Sequence, residues 1–505
     1  MKSVVKSKGQ MTNDERSPKS EVPIRTSCFG MHSSFVIRHS SFCPPPARQR
    51  ASTLIIVLWI AFGLVSLTLY FASSMSFELH ASDNRVSGVM AEQAIDGAAR
   101  YVNYVLASQL TNGTVPDPTT YLCQAVPVGD SHFWLIGRGD GQSAPDQLTF
   151  GLVDEASKLN LNVATSNMLA ALPTPPMTQD LLAGILDWRS TNGGAFQNYY
   201  GMQRPPYQYK AGPFETTEEL RLVYGATMDA LAGEDANRNG VLDPNENDDD
   251  HNGSVTPGVL DYFTAYSREP MTNSDGSVRV NVGNLSAGPA IAPLASFLQT
   301  NLSATTARAI LARFNPTGGG GGRPPTPAPP IRSRSPLEFY QTFHRPPSNL
   351  SLDDFTIIAN KISVTNGGYI YGRVNINTAS PTVLACLPGI NGDLSLAQTL
   401  VSYRQTNPDK LGSVAWVVEA LGTGNTEALN ALMAQDCITT QSYQYTADIA
   451  AIGPHGRGYR RARFVFDTVD GAPKIIYRQD LSHLGWALGK EVRQTWVGEG
   501  AVAAR

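Results

Sequence analysis

The residues best suited to chemistry lie in one stretch, Asp235-Ala-Asn-Arg-Asn-Gly-Val-Leu-Asp-Pro-Asn-Glu246. Oxygen-bearing side chains stand at its first, third, fifth, ninth and twelfth positions (Asp235, Asn237, Asn239, Asp243, Glu246), Gly240 stands at the sixth, and Val241 at the seventh offers its carbonyl. That is the ligand scheme of an EF-hand loop: hard oxygens for a hard cation, glycine for the sharp turn, and a final glutamate that closes bidentately. The expected ion is Ca2+, bound structurally, because no nucleophile and base lie nearby in the sequence. Pro244 at the tenth position fits a helix that begins there. A second tract, Asp248, Asp250, Asn252 and Gly253, opens with the same spacing but meets Val259 at its twelfth position, so Asp261 is the expected further ligand of a neighbouring site.

Little else in the chain resembles a catalytic constellation. Its eight histidines form no HExxH, there is no GxSxG, and the glycines of Pro316 to Pro336 (PTGGGGGRPPTPAPPIRSRSP) lack the Gly-Lys-Ser/Thr of a P-loop. That stretch reads as a flexible low-complexity loop. Cys123, Cys386 and Cys437, the cysteines beyond residue 50, make neither CxxC nor zinc spacing and allow at most one disulfide. No enzymatic activity and no small-molecule substrate is expected. Residues 1–50 carry nine Lys/Arg and three acids, which leaves a net charge of -10 on the remainder. A body so acidic argues against nucleic-acid binding, which needs a cationic face.

The elements that must position the acidic loop begin with a membrane segment. Thr53 to Ala72 (TLIIVLWIAFGLVSLTLYFA) is twenty residues without a charge, and as a helix it spans roughly 30 Å, one crossing of a bilayer. Arg48 and Arg50 precede it while Glu78 and Asp83 follow, so the positive-inside rule puts the N-terminus in the cytoplasm and the bulk across the membrane. Helical periodicity then continues: Ala91, Ala94, Ile95, Ala98, Ala99, Val102, Val105 and Leu106 recur at three- and four-residue steps. One helix from Ser52 to Ser108 is expected. Strand patterns follow at Phe133–Ile136 and Leu148–Val153, and again only near the far end, at Tyr445–Ile452, Arg460–Asp467 and Lys474–Arg478. A single sheet built from both ends makes the middle a large insertion.

That middle repeats itself. Leu159-Asn-Leu-Asn162 with Ala164, Leu169, Leu172-Pro173 and Trp188-Arg189 matches Val374-Asn-Ile-Asn377 with Ala379, Leu384, Leu387-Pro388 and Tyr403-Arg404, at a constant offset of 215 residues. Each copy reads as a turn, a short helix capped by Thr165 or Ser380, a Pro-marked turn and a second helix ending near the arginine. The second copy, with LPGI at 387–390, resembles a helix-hairpin-helix, a fold that elsewhere grips DNA phosphates. The first copy has Pro-Thr-Pro-Pro at that turn, and Asn391 stands where a further glycine is usual. A structural hairpin is the preferred reading.

The N-terminal arrangement resembles that of type IV pilins and pseudopilins: a basic cluster, a small residue, an apolar stretch and a continuous half-buried helix. In that family a prepilin peptidase cuts before the apolar helix; the matching site here lies between Ala51 and Ser52, and the resemblance implies N-methylation of Ser52. This sequence has Ala51 where glycine is usual, and Ile56 where most members carry a glutamate. An unpaired carboxylate in lipid is costly, and a subunit with no neighbour above it can dispense with one. Among pseudopilins the K-type minor subunit of the tip is the one that typically lacks it. Asp154-Glu-Ala156, Pro205-Pro-Tyr207 with Phe214, Glu218-Glu-Leu-Arg-Leu222, Tyr266-Ser-Arg-Glu269, and Gly485-Trp486 after Tyr477-Arg-Gln-Asp-Leu481 resemble the K-type minor pseudopilin of type II secretion in type and order.

The resemblance implies a fold and a role. The expected fold is α+β: a pilin-like long N-terminal helix on an antiparallel sheet, with a large inserted α-helical domain containing two helical-hairpin repeats. The expected parts are a leader 1–51, whose short repeat HSSFVIRHSSF at 32–42 points to a start downstream with Met31 the candidate, an assembly helix 52–108, first sheet strands 109–155, an insert 156–440, closing strands 441–490 and a tail 491–505. The implied partners are I- and J-type minor pseudopilins, prepilin peptidase and the inner membrane, with the body in the periplasm and no nucleic acid. The resemblance also brings calcium-binding acidic loops in this part of the subunit. The alternatives are a membrane-anchored helix-hairpin-helix DNA-binding protein of competence type and a calcium-dependent surface adhesin.

Overall fold

The computed structural model describes residues 50–108, 113–139, 147–172, 177–286, 291–314 and 330–502. Most of the leader, residues 1–49, and residues 316–329 of the glycine- and proline-rich stretch lie outside the described residues. The chain divides into two units, Met1–Ser74 and Met75–Arg505. Helix α1, Arg50–Ser108, runs through both. In the first unit it is apolar and long enough to cross a membrane, and Thr53 to Ser74 are all exposed, Ile56 at 55%.

In the second unit the character of α1 changes at Ser87. From Ala91 to Leu106 the predicted stripe is buried against Phe133, Leu135, Ala447, Ile449, Ala451, Ala462, Phe464 and Phe466. Those residues belong to a sheet built from β1 (Val126–Val128), β2 (Ser131–Ile136), β3 (Val153–Asp154), β4 (Gln444–Ile452), β5 (Arg460–Asp467) and β6 (Lys474–Asp480). The order is β1-β2-β4-β5-β6, with β3 also pairing β4, and every pairing is antiparallel. Strand alternation explains the face: Phe133 and Leu135 point to the helix while Trp134 and Ile136 point away. The alanines let the helix backbone come close to the sheet. At the β4–β5 turn there is no room for a side chain against the helix: a Cβ on Gly453 would lie 2.3 Å from the Ser87 carbonyl oxygen and one on Gly458 2.3 Å from its carbonyl carbon. Gly458 also sits at φ +71°, so a side chain there meets both strain and backbone.

This is the expected α+β, pilin-like arrangement, a long helix on an antiparallel sheet whose first three strands and last three strands are separated by about 290 residues of chain. Three details differ from the sequence reading. Leu148–Val153 is not a continuous strand: Phe150 bridges Ile136, but Gly151 at φ +148° breaks the ladder before β3. Pro244 opens no helix; it lies in a turn closed by the Glu246 amide on the Asp243 carbonyl, 2.9 Å. The supposed tail carries a helix, Gly489–Val502. Its Val492 and Trp496, with Trp486, Ala487 and Leu488, cover Trp134, Ile136, Ala450 and Ile452 on the sheet face opposite α1. A short amphipathic pattern with two apolar anchors gives little periodic signal, so only contact with that face reveals it.

Between β3 and β4 the insert has its own apolar core. The first copy's turn at 173–176 lies outside the described residues; elsewhere the two copies of the repeat adopt one geometry. Leu159–Asn160 pairs in parallel with Phe263–Thr264, and Val374–Asn375 with Ile438–Thr439. Thr165 and Ser380 cap the first helices, Ser166–Ala170 and Pro381–Ala385. The second helices, Gln179–Arg189 and Leu394–Thr406, carry the arginines. Arg189 donates to the carbonyls of Leu161 and Ala164, and Arg404 to those of Ile376 and Ala379, the same positions 215 residues on. Asn391 keeps a left-handed conformation, φ +50°, which asparagine tolerates. Gly389 of the Pro-Gly turn backs onto helix Thr426–Met433, where a Cβ would meet the Ala428 Cα at 2.7 Å. The turn glycine thus serves packing within the insert.

Candidate metal centre

The Asp235–Glu246 loop follows helix Met228–Ala232 of the insert. Asp235 closes it locally: Oδ1 accepts from the Asn239 amide (2.9 Å) and Oδ2 from the Gly240 amide (2.8 Å). Arg238 and Gly240 adopt left-handed φ values of +57° and +84°, which curl the backbone around the carboxylate. Glu246 reaches back over the loop, with Oε1 accepting from the Asn237 amide and Oε2 from the Asp243 amide, 3.0 Å each. Asp243 Oδ2 accepts from Asn237 Nδ2 (2.6 Å) and Asn239 Nδ2 (2.9 Å). All five predicted side-chain ligands therefore share one hydrogen-bonded cluster.

Burial gives that cluster its electrostatics. Asp235, Asn237 and Asn239 are each 2% exposed and Asp243 8%. Burial pushes the Asp235 carboxyl up, offset in part by the Arg138 guanidinium, and burial likewise pushes up that of Glu246 against two amide hydrogen bonds. Asn237 Oδ1 has no hydrogen-bond partner among the described residues. A buried carbonyl-type oxygen without a partner costs roughly 1–3 kcal/mol. A cation that accepts it and neutralises the neighbouring carboxylates removes both penalties. The residues present fit a hard cation held by Asp235, Asn237, Asn239, the Val241 carbonyl, Asp243 and Glu246.

The neighbouring tract departs from expectation. Its Asp248 and Asp250 come together with Glu234, ligand oxygens all within 4.8 Å of one another, a group able to hold a metal ion. Asn252 stays with it, donating from Nδ2 to Asp250 Oδ2 at 2.7 Å. Asp261 does not join: its Oδ1 pairs with Arg138 Nε at 2.7 Å, and although burial opposes ionisation, Arg138 holds the carboxyl below its ordinary value. A buried guanidinium needs an anion, and Asp261 supplies it. Glu234 was invisible to a forward count of loop positions because it precedes Asp235 and returns through the fold: its Oε1 accepts from the Asp249 amide (2.7 Å) and Oε2 from the Thr256 amide (2.8 Å).

The sequence also gave no sign of the groups that hold the first loop in place. Arg461 of β5, wholly buried, donates to the carbonyls of Asn237 and Arg238 and pairs with Asp448 of β4 at 2.7 Å. Arg138 also donates to the Arg238 carbonyl, 2.7 Å. Burial opposes ionisation of Asp448, but Arg461 and Arg463 together draw its carboxyl far below the usual range. Arg461 and Arg463 stood in the sequence only as alternating residues of a strand. Among the described residues Cys123, Cys386 and Cys437 are free thiols; burial raises those of Cys386 and Cys437 to about 12, which leaves them unreactive.

Among solved structures, the chain is similar to the crystal structure of the GspK-GspI-GspJ complex from the type 2 secretion system of enterotoxigenic Escherichia coli, at 9% identity and a TM-score of 0.32, over 81% of this chain and 98% of that chain. No protein-family model matches the sequence. No curated protein matches it either.

Proposed function

We propose that this chain is a minor pseudopilin of the K-type, a structural subunit at the tip of a type II secretion pseudopilus, and not an enzyme. The observation that supports this most is α1: an uncharged, fully exposed apolar stretch continues without a break into a helix whose alanine face forms the core under an antiparallel sheet. Such a helix can reside in the inner membrane, with the body in the periplasm, and later pack against its counterparts in a filament. Ile56, in place of a carboxylate, suits a subunit that no other subunit caps. The partners are the I- and J-type minor pseudopilins, and prepilin peptidase cuts between Ala51 and Ser52. Mass spectrometry of the mature chain is expected to find a methylated Ser52 at its N-terminus. Purification from membranes is expected to carry other pilin-like subunits along; their absence would count against the assignment.

Within this role the Asp235–Glu246 loop binds Ca2+ as a structural ion, and the Glu234, Asp248 and Asp250 group is a second, more exposed cation site. Calorimetry on the parent and on Asp235→Ala tests the first. Equal Ca2+ binding by both would remove the assignment.

A further inference from the structure

Asparagine, not aspartate, occupies both the third and the fifth positions of the first loop, although either residue supplies the oxygen that a cation needs there. The difference is the amide nitrogen. Asn237 Nδ2 donates to the Trp486 carbonyl and Asn239 Nδ2 to the Ala487 carbonyl, both at 3.2 Å. These carbonyls belong to the segment that leads into helix Gly489–Val502, about 250 residues further along the chain. A carboxylate could coordinate the ion but could not make either bond.

We infer that cation occupancy of the Asp235–Glu246 loop latches the C-terminal segment onto the sheet through the amides of Asn237 and Asn239; this rests on the calcium reading proposed above. Among the described residues the segment has one other polar tie to the rest of the molecule, the Ala487 amide on the Tyr459 hydroxyl at 3.2 Å; the rest is ring and apolar contact, with Leu488 buried and Trp496 edge-on to Trp134 at 5.5 Å and against the His132 ring at 4.3 Å. The loop backbone, in contrast, is fixed to the sheet by Arg461 and Arg138 whether or not an ion is present. Ion binding therefore acts on the side-chain amides. Without the ion, Asn237 Oδ1 has no partner and its amide is held only through Nδ2, on Asp243 and Trp486, whereas Asn239 Oδ1 already accepts from the Val241 amide at 2.8 Å. With the ion, the Asn237 oxygen gains its missing partner at the metal and both NH2 groups stay aimed at their carbonyls, so the bridge between the insert and the C-terminus tightens, chiefly at Asn237.

The test uses the full chain in detergent micelles with Ca2+ as the probe. Hydrogen exchange is followed over residues 484–502, alongside tryptic cleavage at Lys490 and Arg493. Ca2+ at about one hundred times its Kd should slow opening of this segment by up to about a hundredfold. Asn239→Asp and Asn237→Asp should still bind Ca2+ by calorimetry yet lose most of that protection. Ca2+ binding by the parent with unchanged exchange of the segment overturns the latch and leaves the calcium reading standing. Absence of Ca2+ binding by the parent overturns both. Full calcium-dependent protection in both aspartate variants shows that the amides are not the link and also overturns the latch. Even if a variant does not fold, unchanged exchange of the parent's segment on Ca2+ binding still overturns the latch.

Discussion

The two acidic loops share one local design and differ in their surroundings. Asp248, like Asp235, accepts from the amides four and five residues on, Asn252 and Gly253, at 3.1 Å each. His251 and Gly253 repeat the left-handed geometry of Arg238 and Gly240, at φ +58° and +72°. Beyond the backbone the likeness ends. The first loop is buried against β4 and β5 and bridges to the C-terminal segment, whereas residues 249–253 are exposed and the third carboxylate of their cluster comes from Glu234. Short-range sequence sets the curl of such a loop; the dielectric around it and the groups that meet it set what ion binding can do to the rest of the molecule.

The sharpest way to break this contrast is to remove the anchor of the buried loop. Arg461→Ala leaves Asp448 with Arg463 alone and the carbonyls of Asn237 and Arg238 without their donor. A loss of about 3–5 kcal/mol is expected in denaturant unfolding. Ca2+ addition at about a hundred times its Kd should raise stability by roughly 3 kcal/mol, read as a shift in Tm, and Asp235→Ala should abolish the part of that increment due to the first loop.

An effect of comparable or smaller size concerns Glu218, which pairs with Arg238 inside the loop and with Arg221, both at 2.6 Å. Burial pushes this carboxyl up, but the hydrogen bonds and charges of the two arginines bring it down to about 2. A depressed folded-state value means that its contribution is complete above the ordinary glutamate pKa near 4.3 and is lost as pH falls toward 2, at most about 3 kcal/mol. The parent and Glu218→Gln should therefore differ in stability at neutral pH and converge below about pH 2; parallel pH profiles would remove the assigned role of the pair.

The smallest effect belongs to the exposed loop. Glu234→Gln should weaken cation binding there while changing stability in the absence of the ion by only about 1 kcal/mol or less, because solvent screens the site, and should leave the increment from the first loop intact. If it instead removes the whole calcium response, the two loops bind as one unit and the contrast between them fails.

Legibility followed the range of each signal. The apolar run, the alanine stripe from Ala91 to Leu106, the repeat at an offset of 215 residues and the oxygen spacing of Asp235–Glu246 are periodic or local, so steric and hydrophobic rules that act over a few residues suffice to read them. The same rules located β4, β5 and β6 and implied that the middle of the chain is an insertion, because strands at the two ends need one another to bury a common face.

What only the tertiary structure decided is which distant group meets which loop. Asp261 was expected at a metal and instead neutralises Arg138; Glu234 had no place in the spacing and joins Asp248 and Asp250; Arg461 reads as a strand residue and anchors the first loop. Asn237 and Asn239 passed equally well for aspartate until the carbonyls of Trp486 and Ala487 were found beside their amides. Each of these pairings joins residues brought together by folding, where burial makes charge compensation and hydrogen-bond satisfaction compulsory, and no pattern along the chain records that requirement.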